Sequence, residues 1–205
     1  MTRTFSWDGL RTSLARRKNS APDAPSSSES REAAVAVLLR RREPTGLEVL
    51  FIRRAEHPED PWSGHMAFPG GRVDSEDAGP LDAALRETHE EIGLDLQRRA
   101  PELGKLPAIP VIGRGRRLPM VIHPFVFAVP PSDVELSLNY EVEEALWIPA
   151  RLLGDRARRG AFLWRNGRTP ARIYMPCLDH RGRRIWGLTL RMVDDLVEVI
   201  AGTDR

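Results

Sequence analysis

The 205-residue sequence predicts an α+β fold, layered as an α/β/α sandwich. Three observations carry this. Apolar runs of strand length and strongly periodic helical segments both occur, and no segment repeats. The two kinds of segment do not alternate in the regular manner of a doubly wound parallel sheet. Hydrophobic residues make up 41% of the chain, which suits a packed core, and a chain of this length buries about 70% of its unfolded surface without a disulfide or metal staple.

Residues 1–32 read as a basic, Ser/Pro-rich extension and linker ahead of a folded domain over 33–201. Arg3, Arg11, Arg16, Arg17 and Lys18 stand against a single acid, Asp8, while Trp7, Leu10 and Leu14 share one helical face. A short helix docked on the domain, a solvated tail and an organelle transit peptide are the three readings of that pattern. The stretch 19–32 is dominated by serine and proline and reads as a linker.

The elements then follow in order. Ala33–Leu39 and Leu47–Ile52 flank the turn signal Pro44-Thr-Gly46 and read as a hairpin. Residues 57–64 read as a loop, and His65–Phe68 as a short extended piece ending at Pro69-Gly70-Gly71. Residues 81–93 form the clearest helix, with Leu81, Ala84, Leu85, Thr88 and Ile92 on a core-facing stripe, Pro80 at a first helical position and Gly93 as a C-terminal stop. Gly104–Leu106, Met120–Val129, Ala145–Ile148, Ala171–Met175 and Arg184–Trp186 read as strands. Pro119 and Pro124 predict an edge strand or a break in the second of these. Residues 149–159 carry a helical reading, and Thr189–Ala201 closes the chain as an amphipathic helix.

Composition excludes several classes. Lys plus Arg is 31 and Asp plus Glu is 29, a net charge of +2, so the chain is neither a uniformly basic nucleic-acid coat nor an acidic solvating chain. No apolar run approaches the length of a membrane span, and no secretory apolar core is evident at the N-terminus. The single cysteine, Cys177, sits in an apolar context and reads as a small buried hydrophobe. A cytoplasmic location is the expectation, with organelle targeting by the basic N-terminus as the alternative.

The chemistry concentrates in residues 70–94. At about 100° per residue, Glu87, Glu90 and Glu91 fall on one narrow face of the helix. Like charges so placed repel one another, and a cation offsets that. An oxygen-only set suits Mg²⁺ or Mn²⁺, whereas a solvated acidic face with Arg86 as partner is the plain alternative. The preceding Pro-Gly-Gly turn admits close approach of backbone to a ligand. Residues 74–95 hold eight acids against one arginine, and residues 151–191 hold eleven arginines against two acids.

This segment resembles the Nudix box, G-x5-E-x7-R-E-U-x-E-E-x-G-U, where U is a bulky aliphatic residue. Gly71 matches the first glycine, and Arg86-Glu87, Glu90-Glu91, Gly93 and Leu94 match the second half in register. The spacing from Gly71 to Arg86 is one residue longer than the pattern, Asp77 stands at the middle glutamate, and Thr88 stands at the first U. The resemblance implies a Nudix fold, with a mixed β-sheet between helices, over residues 30–201, and hydrolysis of a nucleoside diphosphate linked to another group. It implies that Glu87, Glu90 and Glu91 hold the divalent metals with help from the Gly71 carbonyl. It also implies that Arg86 orients the glutamates, and that Glu90 or Glu91 accepts the proton of the attacking water.

Further features resemble the coenzyme A pyrophosphatase branch: Gly64–Gly71 with upstream Arg53 and Arg54, the longer Asp77 form of the box, His123-Pro-Phe-Val-Phe127 and Ile185–Thr189. They imply coenzyme A or an acyl-CoA as substrate, cleaved to 3′,5′-ADP and (acyl-)4′-phosphopantetheine. Arg53, Arg54 and Arg72 are the candidate phosphate binders, with surface ion pairing as the alternative for each. Glu141 is a candidate further metal ligand or base, or an exposed acid before a strand. His65 and His89 read as turn and helix-surface residues. ADP-ribose or another nucleotide sugar is the competing substrate, and a non-catalytic ligand-binding regulator is the competing class. No nucleic-acid or membrane partner is expected; the family commonly forms homodimers.

Overall fold

The structure, a computed structural model, describes residues 5–20, 31–57, 63–113, 116–131, 134–165 and 172–203. Most of the linker therefore lies outside the described residues. Helix α1 (Trp7–Ser20) opens the described chain, with Ser6 Oγ accepting the Gly9 amide at 3.0 Å. Its Leu10 and Leu14 are fully buried in the main apolar cluster. Of the readings of the N-terminal pattern, the docked helix is the one the structure displays. Arg17 fastens it to the C-terminal helix through Asp195 at 2.7 Å and Glu198 at 2.5 Å.

Strands β1 (Arg31–Arg42) and β2 (Gly46–Arg54) form the expected antiparallel hairpin, with Leu39 opposite Val49 and Arg42 opposite Gly46. The short β3 (Met66–Ala67) adds to β2, and β4 (Gly70–Arg72) adds to the start of β1 with Ala34 opposite Gly71. Helix α2 (Pro80–Ile92) and the turn of helix α3 (Leu96–Arg99) follow, then β5 (Glu102–Lys105), β6 (Ile109–Gly113) and β7 (Arg116–Ala128). β7 runs parallel to β1, whereas β8 (Val142–Pro149) pairs antiparallel with β2. The result is an eight-stranded mixed sheet on the path β3-β2-β1-β7-β5, with β4, β6 and β8 attached to it. α2 covers one face through Ala83, Ala84 and Ile92, while α1 and α5 (Gly187–Thr203) cover the other. This is the α+β sandwich that the sequence predicts.

Several local expectations are corrected. β7 is neither an edge strand nor broken at its prolines, because the flanking strands are interrupted where they fall. The Pro124 carbonyl accepts the Leu106 amide at 3.0 Å. The missing Pro124 N–H thus faces the gap where β5 has ended and β6 has not begun, and no ladder bond is lost there. Pro119 falls where the β6–β7 register shifts. Residues 149–159 are not one helix but a turn of helix, α4 (Ala150–Leu153), and a 3₁₀ turn over Arg156–Arg158. β6 and β9 (Arg159–Arg165) were not foreseen. β9 joins β10 (Arg172–His180) and β11 (Arg183–Trp186) in a separate three-stranded sheet. Arg183 clips that sheet to β8, its Nε on Glu144 Oε2 at 2.7 Å and its Nη2 on Oε1 at 2.5 Å.

Candidate active site

The site is built where the β3–β4 turn meets α2. Gly70 has φ +145°, and a Cβ there would strike the Ala34 carbonyl, so only glycine lets the turn lie against β1. A Cβ on Gly71 would overlap the Glu87 carboxylate. The double glycine is therefore the space in which the acidic helix seats its side chains.

α2 starts as the sequence predicts, with Pro80 in its first turn, and ends on Gly93 at φ +70°, whose amide bonds back to His89. Its stripe is corrected in two places: Ala83 and Glu91 are buried, while Leu81 and Leu85 are only partly so. Thr88, at the position the family pattern gives to an aliphatic residue, is fully buried. Its hydroxyl donates to the Ala84 carbonyl at 2.6 Å and so enters the core satisfied.

The three glutamates share a face but not a depth. Glu90 is 52% exposed, Glu87 19% and Glu91 2%. Glu91 lies beneath the glycine turn, and its Oε2 accepts the Gly70 amide at 2.9 Å. Arg54 Nη1 stands 3.6 Å from its other oxygen. Burial is the main reason its carboxyl is pushed up to about 7; Glu87 and Glu141 push the same way, and the Gly70 amide and Arg54 oppose them. Glu87 is also raised, chiefly by burial, with Arg86 opposing and Glu90 and Glu141 adding repulsion.

Arg86 is the hub. Its Nε and Nη2 grip Asp77 Oδ1 and Oδ2 at 3.0 and 3.1 Å, and its Nη1 bonds Glu87 at 3.0 Å and Glu90 at 3.2 Å. Nη2 also donates to the Arg72 carbonyl at 3.2 Å. The hydrogen bonds to Arg86 hold Asp77 below the usual carboxylate range, and Asp77 in turn raises Arg86 further. Aspartate is one methylene shorter than glutamate and the loop here is one residue longer than the family pattern. The two departures occur together, and the carboxylate still meets both arms of the guanidinium.

Glu141 comes from far along the chain. The Ser137 amide bonds the Ile92 carbonyl at 3.0 Å and the Asn139 amide bonds the Glu91 carbonyl at 3.0 Å. Those carbonyls lie at the C-terminal end of α2, where no intrahelical donor remains. Asn139 Oδ1 then accepts the Glu141 amide at 2.9 Å, and the Glu141 carbonyl accepts the Ala55 amide at 2.8 Å. This places the Glu141 carboxylate where it repels Glu87 and Glu91.

Arg86, Glu87, Glu90, Glu91, Gly71, Glu141 and Arg54 are thus brought together. Arg53 is engaged elsewhere, by Glu143 at 3.3 Å and Glu56 at 3.8 Å. Arg72 is exposed and contributes its backbone carbonyl. Two participants escaped the sequence reading. Gly70 acts as a donor to Glu91, a role the Pro-Gly-Gly turn could have signalled. Asn139 anchors the Glu141 loop by accepting the Glu141 amide; one sequence carries no signal for it.

Among the described residues, no three acidic, histidine or cysteine side chains are drawn together as a ready-made cage. The guanidinium of Arg86 instead holds one oxygen each of Glu87 and Glu90, which leaves the other oxygen of each available. The donor chemistry still fits a hard divalent cation. All the donors are oxygens, the cradle at Gly71 would be filled by a Cβ, and the repulsion among buried carboxylates is only partly relieved by cations.

The NUDIX domain family model matches residues 30–165. The chain belongs to the Nudix family. It is 33% identical over 178 residues to a protein of Enterobacter sp. (strain 638) named Uncharacterized Nudix hydrolase NudL, covering 81% of each chain. A protein of the same name from Salmonella paratyphi B is 30% identical over 170 residues, with 81% of each chain covered. Among solved structures, a C. elegans Ap4A hydrolase binary complex shares 19% identity at a TM-score of 0.48, covering 59% of this chain and 81% of that one. The protein is thus a Nudix hydrolase, of a family that acts on nucleoside diphosphate derivatives and generally needs divalent metal ions. None of its described helices is long and apolar enough to cross a membrane.

Proposed function

We propose that this Nudix hydrolase cleaves the diphosphate bond of coenzyme A or an acyl-CoA, giving 3′,5′-ADP and (acyl-)4′-phosphopantetheine. The observation that carries the hydrolase reading is the fixed acidic face: Glu87, Glu90 and Glu91 graded in depth against a double-glycine cradle and organised by Arg86. The coenzyme A reading is supported by the longer Asp77 form of the box and by features around it: Gly64–Gly71 with upstream Arg53 and Arg54, His123–Phe127 and Ile185–Thr189.

Glu87, Glu90, Glu91 and Glu141, with the Gly71 carbonyl, would hold Mg²⁺ or Mn²⁺. Such a cation neutralises diphosphate oxygens and lowers the pKa of an attacking water. Arg86 keeps Glu87 and Glu90 in fixed rotamers. Glu90, half-exposed, is the carboxylate most open to a water and is assigned the proton. Glu91 anchors the cradle through Gly70.

Coenzyme A, ADP-ribose and NADH are to be compared at equal concentration with Mg²⁺ and with Mn²⁺, the products being identified by mass. Preferential release of 3′,5′-ADP from coenzyme A is expected. Preferential cleavage of ADP-ribose would assign the nucleotide-sugar activity instead. Binding without turnover of any of the three would assign a regulator.

A further inference from the structure

The three-stranded sheet carries an aromatic surface that neither apolar core uses. Its register sets Phe162 and Trp164 of β9 on the same face as Arg184 and Trp186 of β11. The opposite face sends Leu178 and Ile185 into the core. Phe162, Trp164 and Trp186 are half-buried and belong to neither core cluster. Ile173, opposite Trp164 on the same face, is 46% exposed. Half-buried rings outside both cores, beside the exposed Ile173, offer apolar surface to a ligand.

The rings form a connected cluster. Trp186 meets Phe162 edge-on at 5.2 Å, and Trp164 lies 6.2 Å away at a tilt of 47°. Arg184 lays its guanidinium 4.2 Å over Phe162. Its neighbour Arg183 is spent on Glu144, but Arg184 has no carboxylate partner among the described residues. An aromatic platform edged by such a cation suits a planar heterocycle that carries phosphate.

The platform adjoins the acidic face. The Trp186 ring meets the His65 ring at 4.7 Å, the His65 carbonyl accepts the Arg54 amide at 3.0 Å, and Arg54 reaches Glu91. We propose that this face is the base subsite of the enzyme: the heterocycle of the nucleoside diphosphate derivative rests on Trp164 and Trp186, and Arg184 faces a phosphate of the same nucleotide. The proposal rests on the diphosphate-hydrolase reading and adds to it the wall that recognises the nucleotide.

Calorimetric titration with ADP and with inorganic pyrophosphate, both with Mg²⁺, tests it in the full-length protein. Trp164→Ala is expected to weaken ADP binding about tenfold and to leave pyrophosphate unchanged, while Trp164→Phe stays within about twofold of wild type for both. Arg184→Ala is expected to weaken ADP about threefold. Equal weakening of both ligands in Trp164→Ala, rescued in neither by phenylalanine, would show a purely structural ring and overturn the proposal; unchanged ADP binding overturns it as well. Wild-type protein that binds pyrophosphate but not ADP overturns the subsite and leaves the hydrolase reading standing. Protein that binds neither overturns both.

Discussion

The amide of Gly70 donates to Glu91 Oε2 at 2.9 Å, joining the turn before the acidic helix to the last turn of that helix. The bond spans 21 residues of sequence and lands on a carboxylate that is only 2% exposed. It makes the seating of the glycine turn and the charge state of Glu91 one problem.

That coupling sets a pH dependence in metal-free protein. The Glu91 carboxyl is held at about 7 against an ordinary 4.5. Below pH 4.5 it is protonated in both folded and unfolded states and no penalty arises. As pH rises toward 7 the unfolded chain ionises first, so stability is lost across that window and levels off above it. In the presence of EDTA, the stability of wild type relative to Glu91→Gln should fall by roughly 2–3 kcal/mol between pH 4.5 and pH 7.5. Urea unfolding of both proteins checks it, and a flat difference would refute the assignment. Added Mg²⁺ should flatten the slope, because a bound cation favours the ionised form.

The two glycines should fail differently. Gly70→Ala forces a Cβ into the Ala34 carbonyl at a positive φ and should cost about 2 kcal/mol or more of stability. Gly71→Ala displaces the Glu87 carboxylate instead. It should leave the thermal midpoint within a few degrees of wild type while weakening Mg²⁺ binding at least tenfold, a loss of about 1.4 kcal/mol. Calorimetric unfolding and metal titration of the pair separate the two effects.

Glu90→Gln keeps the shape of the side chain and an acceptor for Arg86. Turnover of the preferred diphosphate should fall at least a hundredfold with Mg²⁺, the range lost with a general base, and the circular dichroism should not change. Full turnover in that variant would remove Glu90 from the reaction.

Asp77→Ala should act through Arg86. Loss of the two-armed grip frees the guanidinium from the loop, and Arg86 no longer holds Glu87 and Glu90 in one arrangement. A kcat loss of about tenfold or more with a smaller change in KM is expected, together with a stability loss of about 1–3 kcal/mol from the lost charge-assisted hydrogen bonds to Arg86. Steady-state kinetics and denaturant unfolding measure the two.

Much of this site was legible in the sequence because it is local. The register of Arg86, Glu87, Glu90 and Glu91 on one helix, the glycine turn before it and the Gly93 stop all follow from spacing along a single stretch. Depth was not legible. Three glutamates on one arc look equivalent until the β3–β4 turn closes over Glu91 and leaves Glu90 in water. Glu141 reads equally well as an exposed acid, since its approach depends on Ser137 and Asn139 meeting the end of α2. The continuity of β7 through Pro119 and Pro124 was hidden for the same reason: whether a missing amide matters depends on what the neighbouring strands do at that level. β9 reads Arg-Gly-Ala-Phe-Leu-Trp-Arg, with no alternation of period two, and it is its pairing with β10 that makes it a strand.

The route by which Glu141 arrives ties the site to the whole sheet. Its loop is held by the carbonyls at the end of α2 and by the Ala55 amide beyond β2, so the fourth carboxylate stands beside the other three only where helix, hairpin and β8 are docked together. The acidic face is therefore a tertiary feature, complete only where contacts distant in sequence are made. A fragment carrying α2 alone would present Glu87, Glu90 and Glu91 without Glu141 beside them.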